Sequence, residues 1–260
     1  MRSYLFALAV ALAVGLVAQA QTTPPAAPPP PDPKKLDGYL QRWEQEMAKI
    51  QSLAANLERT EKDKTFQTEK KFVGFAQYMK SGTGPTALNL ALLEMKEEGK
   101  KDIHEKFICT GTFLYQFSPA KQEIYAHRLP APKSGQVADD NFLTFLFGMK
   151  AEQARQRYDL TLTREDDYYI YVDVKPKSPQ DKADFTRAQL VLNKDSFLPR
   201  QLWFEQANGN TVVWAIPKID TKAKVNERDF DAPKAPPGWK LIQVEDKPQA
   251  PPTVVRPMKP

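Results

Sequence analysis

Short runs with an apolar residue at every second position fill most of the chain between residues 71 and 217, and a period of two is typical of β-strands. The clearest run is 112–117, in which Phe113, Tyr115 and Phe117 point to one side. Short turns separate most of the runs, above all Asn208-Gly209, which suits a two-residue type I′ hairpin. Connections this short require antiparallel neighbours. The predicted strands are 71–79, 87–95, 103–109, 112–117, 123–127, 158–164, 168–174, 185–192, 200–206 and 211–217.

Two segments have helical periodicity instead. Spacings of three and four predict an amphipathic helix over 36–57, with an apolar stripe of Leu40, Trp43, Met47, Ile50, Leu53 or Ala54, and Leu57. The second segment follows the N-cap residues 139–141 and is apolar on nearly every side through Phe142, Leu143, Phe145, Leu146, Phe147 and Met149. A helix without a polar face must be covered by a sheet below, and by a helix, a partner or an apolar ligand above.

The two ends of the chain have compositions unlike that of a folded core. Arg2, the apolar run 5–17 and the small residues Ala18 and Ala20 predict a signal peptide over residues 1–20. We expect a Pro-rich linker over 21–33, one folded domain over 34–240 and a disordered Pro-rich tail over 241–260. The sequence therefore predicts an exported protein, periplasmic or secreted, with no transmembrane segment after signal cleavage.

Charge and cysteine content exclude several classes of function. The formal net charge is +5, and the lysines are spread along the chain, whereas a nucleic-acid binder gathers them into one stripe. We therefore expect no nucleic-acid partner. Cys109 is the only cysteine, so neither an intramolecular disulfide nor a multi-cysteine metal site can form.

Candidate catalytic groups are few. The two histidines, His104 and His127, lie in no nucleophile-elbow or zinc-protease motif. Together with Glu105 they could form a metal site across neighbouring strands, but two solvent-side histidines are the favoured alternative. Cys109 ends an apolar run and is predicted to be a buried thiol with a raised pKa, and Asp166 to form a turn. We expect no enzyme activity, no metal and no cofactor.

Several strands carry large apolar side chains on both faces. Trp203 stands beside Phe204, and Val213 beside Trp214. A sheet with one face in water alternates more cleanly. The pattern fits either a sheet covered by helices or the wall of a cavity for a lipid-like guest, and the apolar segment 142–149 favours the guest.

Several motifs occur in an order shared with a known family. They are a Gly turn before an aromatic strand over 107–119, Leu198-Pro199-Arg200, the Asn208-Gly209 hairpin, and the closing motifs at 230–233 and 237–238. From residue 36 to 239 the chain resembles the LolA/LolB-like lipoprotein-carrier fold, nearest to an uncharacterised secreted branch of that superfamily. The resemblance implies a curved antiparallel half-barrel lidded by helices, with acyl chains in the apolar space between. The family also closes its lid with an arginine-proline pair on an early strand, where this chain has Met79-Lys80.

These observations predict an α+β domain: a strongly curved antiparallel β-sheet, or half-barrel, with an N-terminal helix and a short apolar helix on the concave face. The predicted function is an exported, non-enzymatic binder or carrier of lipid or lipoprotein acyl chains. An envelope sensing or protein–protein interaction module that uses the same surface is the alternative. Expected partners are a lipid or acylated protein, or an envelope protein. The candidate ligand-binding residues are Leu40, Trp43, Met47, Phe142, Phe145, Leu146, Met149, Trp203 and Trp214.

Overall fold

The structure is a computed structural model, described here for Asp32 and residues 34–83, 87–129 and 150–244. The helices of this part of the chain are α1 (Lys34–Lys49), α2 (Ala151–Arg157) and α3 (Pro179–Asp184), and Pro119–Lys121 and Glu227–Phe230 form 3-10 turns. The strands are β1 (Ser52–Asp63), β2 (Thr68–Ser81), β3 (Leu88–Glu97), β4 (Ile103–Cys109), β5 (Phe113–Ser118), β6 (Glu123–Arg128), β7 (Tyr158–Glu165), β8 (Tyr169–Pro176), β9 (Arg187–Asn193), β10 (Pro199–Glu205), β11 (Thr211–Asp220) and β12 (Lys240–Val244).

The twelve strands form one sheet in the order β12-β6-β5-β4-β3-β2-β1-β11-β10-β9-β8-β7. Neighbouring strands are antiparallel, except that β12 is parallel to β6. A largely antiparallel sheet and the N-terminal helix are therefore confirmed, with two corrections: the sheet is mixed, and the fold is mostly β with a few short helices. The strong curvature of the sheet stays a prediction. All ten predicted strands coincide with β2 to β11.

The predicted helix over 36–57 is too long. α1 ends at Lys49, and the residues that follow form β1, in which Leu53, Ala55, Leu57 and Arg59 are buried at every second position. A spacing of four, as between Leu53 and Leu57, places two side chains on one face of a helix and also on one face of a strand. The apolar stripe therefore continues across the boundary although the backbone changes conformation.

Both faces of the sheet carry buried apolar residues. We call the face that packs under α1 the helix side; its cluster includes Leu57, Phe72, Leu93, Leu202 and Trp214. The opposite face is the far side, and it is covered over β2 to β6 by the chain segment after β11. In that cover Phe230 is 2% exposed and packs with the buried residues of the far-side cluster, which are Leu90, Leu92, Ile108, Tyr115, Ile124 and Ala126.

The sheet continues beyond the predicted end of the domain at residue 240. β12 runs to Val244, and its first residue, Lys240, donates its backbone N–H to the carbonyl of Gln122 at 3.0 Å. The segment 142–149, predicted to be a short helix, lies outside the described residues.

Candidate functional site

α1 turns its apolar stripe onto the helix side of the sheet. Leu40, Trp43 and Met47 are only 1, 2 and 6% exposed and belong to the helix-side cluster. The Nε1 of Trp43 is buried with no hydrogen-bond acceptor among the described residues. An unsatisfied buried donor costs about 1–3 kcal/mol, which the burial of the large indole ring offsets.

The two tryptophans predicted to line the site lie on opposite faces. Trp214 is 6% exposed and belongs to the helix-side cluster, directly opposite Leu202 on β10. Trp203 pairs with Val213 and is half-buried on the far side, where the Arg187 guanidinium lies 5.8 Å from its ring. The structure therefore brings Leu40, Trp43, Met47 and Trp214 together in one cluster and separates Trp203 from it.

The turn between β10 and β11 explains this separation. A two-residue turn at Asn208-Gly209 would place Trp203 opposite Trp214. Instead, Gln206 donates its N–H to the carbonyl of Asn210, so the loop has three residues and ends at Gly209, which has a φ of +81°. Three-residue loops with glycine at the left-handed position are the next common hairpin type. One residue of register moves every side chain of a strand to the other face.

The candidate residues Phe142, Phe145, Leu146 and Met149 lie outside the described residues. Their place relative to the helix-side cluster stays a prediction.

An apolar pocket opens to solvent beside the last turn of α1. Its space is about 290 Å³ when the open mouth is included, but the enclosed part is no larger than a water molecule. Met47 forms one wall, and the others come from β1, β2, β11 and the turn between β9 and β10. The lining residues are Met47, Leu53, Ala55, Ala76, Leu198, Pro199 and Ile219.

The turn between β9 and β10 places its apolar residues against α1. Phe197 has a φ of +56°, a left-handed conformation that is strained for a bulky residue, and its N–H donates to the carbonyl of Asn193 at 2.8 Å. Its ring lies 6.0 Å from the ring of Tyr39 and 5.9 Å from the Arg42 guanidinium. Because the turn is held in this shape, the next residue, Leu198, lies in the wall of the pocket.

Lys80 tethers the C-terminal end of α1. Its Nζ donates to the backbone carbonyl of Ala48 at 2.9 Å, and burial lowers its pKa. The last carbonyls of a helix have no partner within the helix and attract a cation. Lys80 therefore links the early strand β2 to the C-terminal end of the first helix.

Glu165 tethers the other end of α1. Its carboxylate accepts a hydrogen bond from the Tyr39 hydroxyl at 2.8 Å and forms ion pairs with Lys35 at 3.2 Å and Lys194 at 2.7 Å. The hydrogen bond from Lys194, with those from Tyr39 and Lys35, lowers the pKa of Glu165 to about 2. Burial and the bond to Glu165 raise the pKa of Tyr39 to about 12. α1 is thus held by polar contacts at both ends and by apolar contacts between them.

Arg59 is a buried charge within the helix side. Its guanidinium carbon lies 4.5 Å from the ring of Phe72 and 4.9 Å from the ring of Trp214, one on each neighbouring strand. It forms ion pairs with Glu105 and with Glu61, the latter at 3.0 Å. The charge is therefore neutralised and enclosed, which suits a fixed wall and leaves little freedom for chemistry.

The structure separates the two histidines. His104 is exposed at the start of β4 and stacks on Phe72 at 4.6 Å. Leu114 pairs with Cys109 on one side and with His127 on the other, so His127 lies level with Cys109. His104 precedes Cys109 by five residues, which corresponds to roughly 16 Å along the strand. The metal alternative for this pair is therefore wrong. Within the described residues no three His, Cys, Asp or Glu side chains are grouped as metal ligands.

The structure agrees with two structural interpretations made from the sequence, except that Cys109 is half-buried where a buried thiol was predicted. Burial raises the pKa of the Cys109 thiol, whose Sγ donates to the carbonyl of Asn89 at 3.4 Å. Asp166 accepts the backbone N–H groups of Tyr168 and Tyr169 at 3.0 and 2.8 Å, and these bonds, with that from Arg164, lower its pKa to about 2. The carboxylate of Asp166 therefore shapes the turn between β7 and β8.

Among the residues described, no helix combines the length and apolarity needed to cross a membrane.

Comparisons with known proteins show similarity at the level of the fold. Neither a protein-family model nor a curated protein matches the sequence. An uncharacterised conserved protein from Thermus thermophilus has a TM-score of 0.50 at 10% identity, covering 81% of this chain and 99% of that chain.

Two further solved structures match less closely. The LolA superfamily protein NE2245 from Nitrosomonas europaea has a TM-score of 0.37 at 12% identity over 75% of this chain and 96% of that one. A structure of the Pseudomonas aeruginosa MucA/MucB complex has a TM-score of 0.42 at 12% identity, covering 76% of this chain and 61% of that one. Identities this low show similarity of fold alone. The structural neighbours of this chain thus include a LolA superfamily protein, and the likeness concerns the fold alone.

Proposed function

We propose that the protein is a non-enzymatic binder of hydrophobic ligands in the cell envelope, and that the acyl chains of a lipid or acylated protein enter between α1 and the helix side of the sheet. The observation that carries this proposal is the apolar pocket beside the last turn of α1. In this pocket the helix-side cluster meets solvent, and the lining contains no polar side chain. Water in such a pocket has no hydrogen-bonding partner, so an apolar chain replaces it favourably.

Binding requires the pocket to widen. Its enclosed part holds no more than a water molecule, far less than the roughly 300–1,000 Å³ of small-molecule sites. An outward movement of the last turn of α1 withdraws Met47 and exposes Leu53 and Ala76 to the incoming chain. At about 25 cal/mol per Å², each 100 Å² of apolar surface covered by the ligand contributes about 2.5 kcal/mol.

The attachment of α1 permits such a movement. Lys80 at one end and Glu165 at the other hold the helix by polar contacts near the surface. A hydrogen bond of this kind contributes about 0.5–1.5 kcal/mol, because water replaces the lost partner. A bound acyl chain therefore compensates for the loss of one of these polar contacts, while the strands of the sheet stay paired.

The remaining predicted elements complete the proposal. Phe142, Phe145, Leu146 and Met149 form a second part of the cover, and Trp214 belongs to the wall. Trp203 is left out because it lies on the far side. A bent, half-barrel sheet would provide the hollow, and export by the signal peptide 1–20 would bring the domain to the periplasm or the exterior.

Native mass spectrometry of the protein purified without denaturant tests whether a ligand is carried. We expect adducts of lipid-like mass that disappear on extraction with organic solvent. A bare protein that also fails to bind a fluorescent fatty acid, such as dansyl-undecanoic acid, contradicts the proposal. A bare protein that captures an envelope protein instead would support the alternative of an interaction module.

Filling the pocket tests where the ligand binds. Leu198→Trp places an indole at the mouth and should weaken binding of dansyl-undecanoic acid tenfold or more. Val73→Trp is the matched control, because Val73 lies on the far side of β2 and is 42% exposed. Equal affinities for the two variants, with unchanged unfolding temperatures, would exclude this pocket as the entry site.

A further inference from the structure

The hairpin formed by β1 and β2 extends beyond the strand that follows it. β1 and β2 pair from Ser52–Met79 to Asp63–Thr68, whereas β3 pairs with β2 only as far as Phe72. The residues from 62 to 71, here called the hairpin tip, therefore project at the end of the sheet opposite the pocket. β11 flanks the tip on its other side and begins at residue 211, opposite Lys62.

The turn at the tip is fixed by its own polar groups. The Asp63 carboxylate accepts the backbone N–H groups of Thr65 at 2.8 Å and Phe66 at 2.9 Å. Gln67 has a φ of +54°, and its Nε2 donates to the carbonyl of Lys64 at 2.8 Å. The backbone of the turn is thus satisfied in one conformation.

A second loop braces the turn. The Asn210 side chain accepts the N–H of Lys64 at 3.0 Å and donates to the carboxylate of Asp63 at 3.3 Å. Asn210 lies directly before β11, so the brace connects the tip to the neighbouring hairpin of β10 and β11. These contacts hold the tip in a defined direction relative to the strands.

This braced turn exposes the side chain of a phenylalanine to solvent. Phe66 is 76% exposed, the largest value among the exposed large apolar side chains of the described residues. Exposing a phenylalanine that burial would stabilise is unfavourable. The hydrogen bonds of Asp63, Gln67 and Asn210 keep the turn from folding the ring back onto the sheet.

The charges around Phe66 are mainly positive. The tip contains four lysines, Lys62, Lys64, Lys70 and Lys71, and two acidic residues, which leaves a net charge of +2 (four minus two). Both acids are engaged: Asp63 by the turn, and Glu69 by Lys62 at 3.1 Å and Lys71 at 3.6 Å. Lys64 and Lys70 are exposed and are not paired with the acids of the tip, although Lys70 lies close enough to Glu97 of β3 to lower the pKa of that carboxyl.

We propose that the hairpin tip docks the protein on an anionic membrane surface, with the Phe66 ring at the boundary between headgroups and acyl chains and the lysines on the lipid phosphates. A projecting aromatic residue ringed by lysines has the chemistry of interfacial anchors. The tip is a single hairpin turn, and a peptide would need a groove between elements to bind in. This interaction goes beyond acyl-chain binding and does not depend on it, because the pocket lies at the other end of β1.

Sedimentation with lipid vesicles tests the proposal. The purified protein should bind vesicles of equal parts phosphatidylglycerol and phosphatidylcholine, and bind phosphatidylcholine vesicles far more weakly. Phe66→Ser should lower the partition coefficient about tenfold or more, because a buried phenylalanine is lost. Lys64→Gln combined with Lys70→Gln should lower it about 25-fold, at about fivefold for each lysine near the surface.

A matched variant separates a specific anchor from general stickiness. Tyr168 is 69% exposed in the turn between β7 and β8, at the opposite end of the sheet, so Tyr168→Ser should bind anionic vesicles like the unaltered protein. The proposal is overturned if the unaltered protein does not sediment with anionic vesicles, or if Phe66→Ser sediments equally well. Dansyl-undecanoic acid should bind Phe66→Ser normally, so the result is independent of the pocket.

Discussion

Replacement of Gly74 by alanine should destabilise the sheet strongly. Gly74 lies on β2, between Leu57 of β1 and Met95 of β3. An added Cβ would overlap the carbonyl oxygen of Glu94 and would lie 2.9 Å from its carbonyl carbon and 2.6 Å from the Sδ of Met95. Carbon atoms that are not bonded pack at about 3.5–4.0 Å. The Met95 side chain can rotate away, but the carbonyl of Glu94 belongs to the strand, so β2 and β3 must separate.

The expected cost follows from these two clashes. Overpacking of a core position costs about 1–3 kcal/mol, and each strand hydrogen bond weakened by the separation adds about 0.5–1.5 kcal/mol. Gly74→Ala should therefore lower the free energy of unfolding by about 3 kcal/mol. Urea titration followed by tryptophan fluorescence would show this as a lower midpoint with an unchanged slope.

Gly38 provides the control for the same substitution. It is exposed on α1, and an added Cβ meets no atom within 4 Å. Because alanine is the better helix former, Gly38→Ala should stabilise the protein by about 0.5–1 kcal/mol. The close approach of β2 and β3 would be refuted if Gly74→Ala changed the free energy of unfolding by less than about 0.5 kcal/mol.

Two further predictions concern charged groups. Arg59→Met should lower the free energy of unfolding by about 2–4 kcal/mol, since it removes a buried ion pair and two cation–π contacts. In a double-mutant cycle, the coupling energy between Arg59→Met and Glu105→Gln should be about 1 kcal/mol or more. Additive effects of the two substitutions would contradict the pairing. The pKa of Glu165 falls from 4.5 to about 2 on folding, so its stabilisation is present above about pH 4.5 and is lost as the pH falls towards 2. Urea unfolding at a series of pH values should therefore show a shallower acid loss for Glu165→Gln than for the unaltered protein, and parallel curves would exclude this role.

Strands with a clear alternation and a local turn could be predicted from the sequence. In β5, Phe113, Tyr115 and Phe117 alternate between a Gly turn and a Pro turn, and β4, β5 and β6 each pair with their neighbour in sequence. Such antiparallel pairs need only short-range information. The same holds for β7 to β11, whose order in the sheet follows their order in the chain.

Elements defined by distant pairing could not be predicted. β1 pairs with β11 across about 160 residues, and its apolar spacing near Leu53 also fits a helix. β12 is a short edge strand parallel to β6, and a parallel pair has no connecting turn from which it can be recognised. Its residues Leu241 and Ile242 also stand directly before a Pro-rich segment, whose composition concealed the strand.

The floor and the entrance of the pocket depend on these distant pairings. Their residues therefore could not be predicted from the sequence, whereas the apolar stripe of α1 could. Met47 was found because helical periodicity alone marks the buried face of α1. Ala76 and Ile219 reach the same space only because β1 stands between β2 and β11. Leu198 reaches it because Phe197 adopts a left-handed backbone conformation, for which the residue type gives no signal. Sequence periodicity can therefore identify the cover of such a site, whereas its floor and entrance follow from the strand order. Substitutions at Leu198 should accordingly weaken ligand binding more than substitutions at Trp203 on the far side.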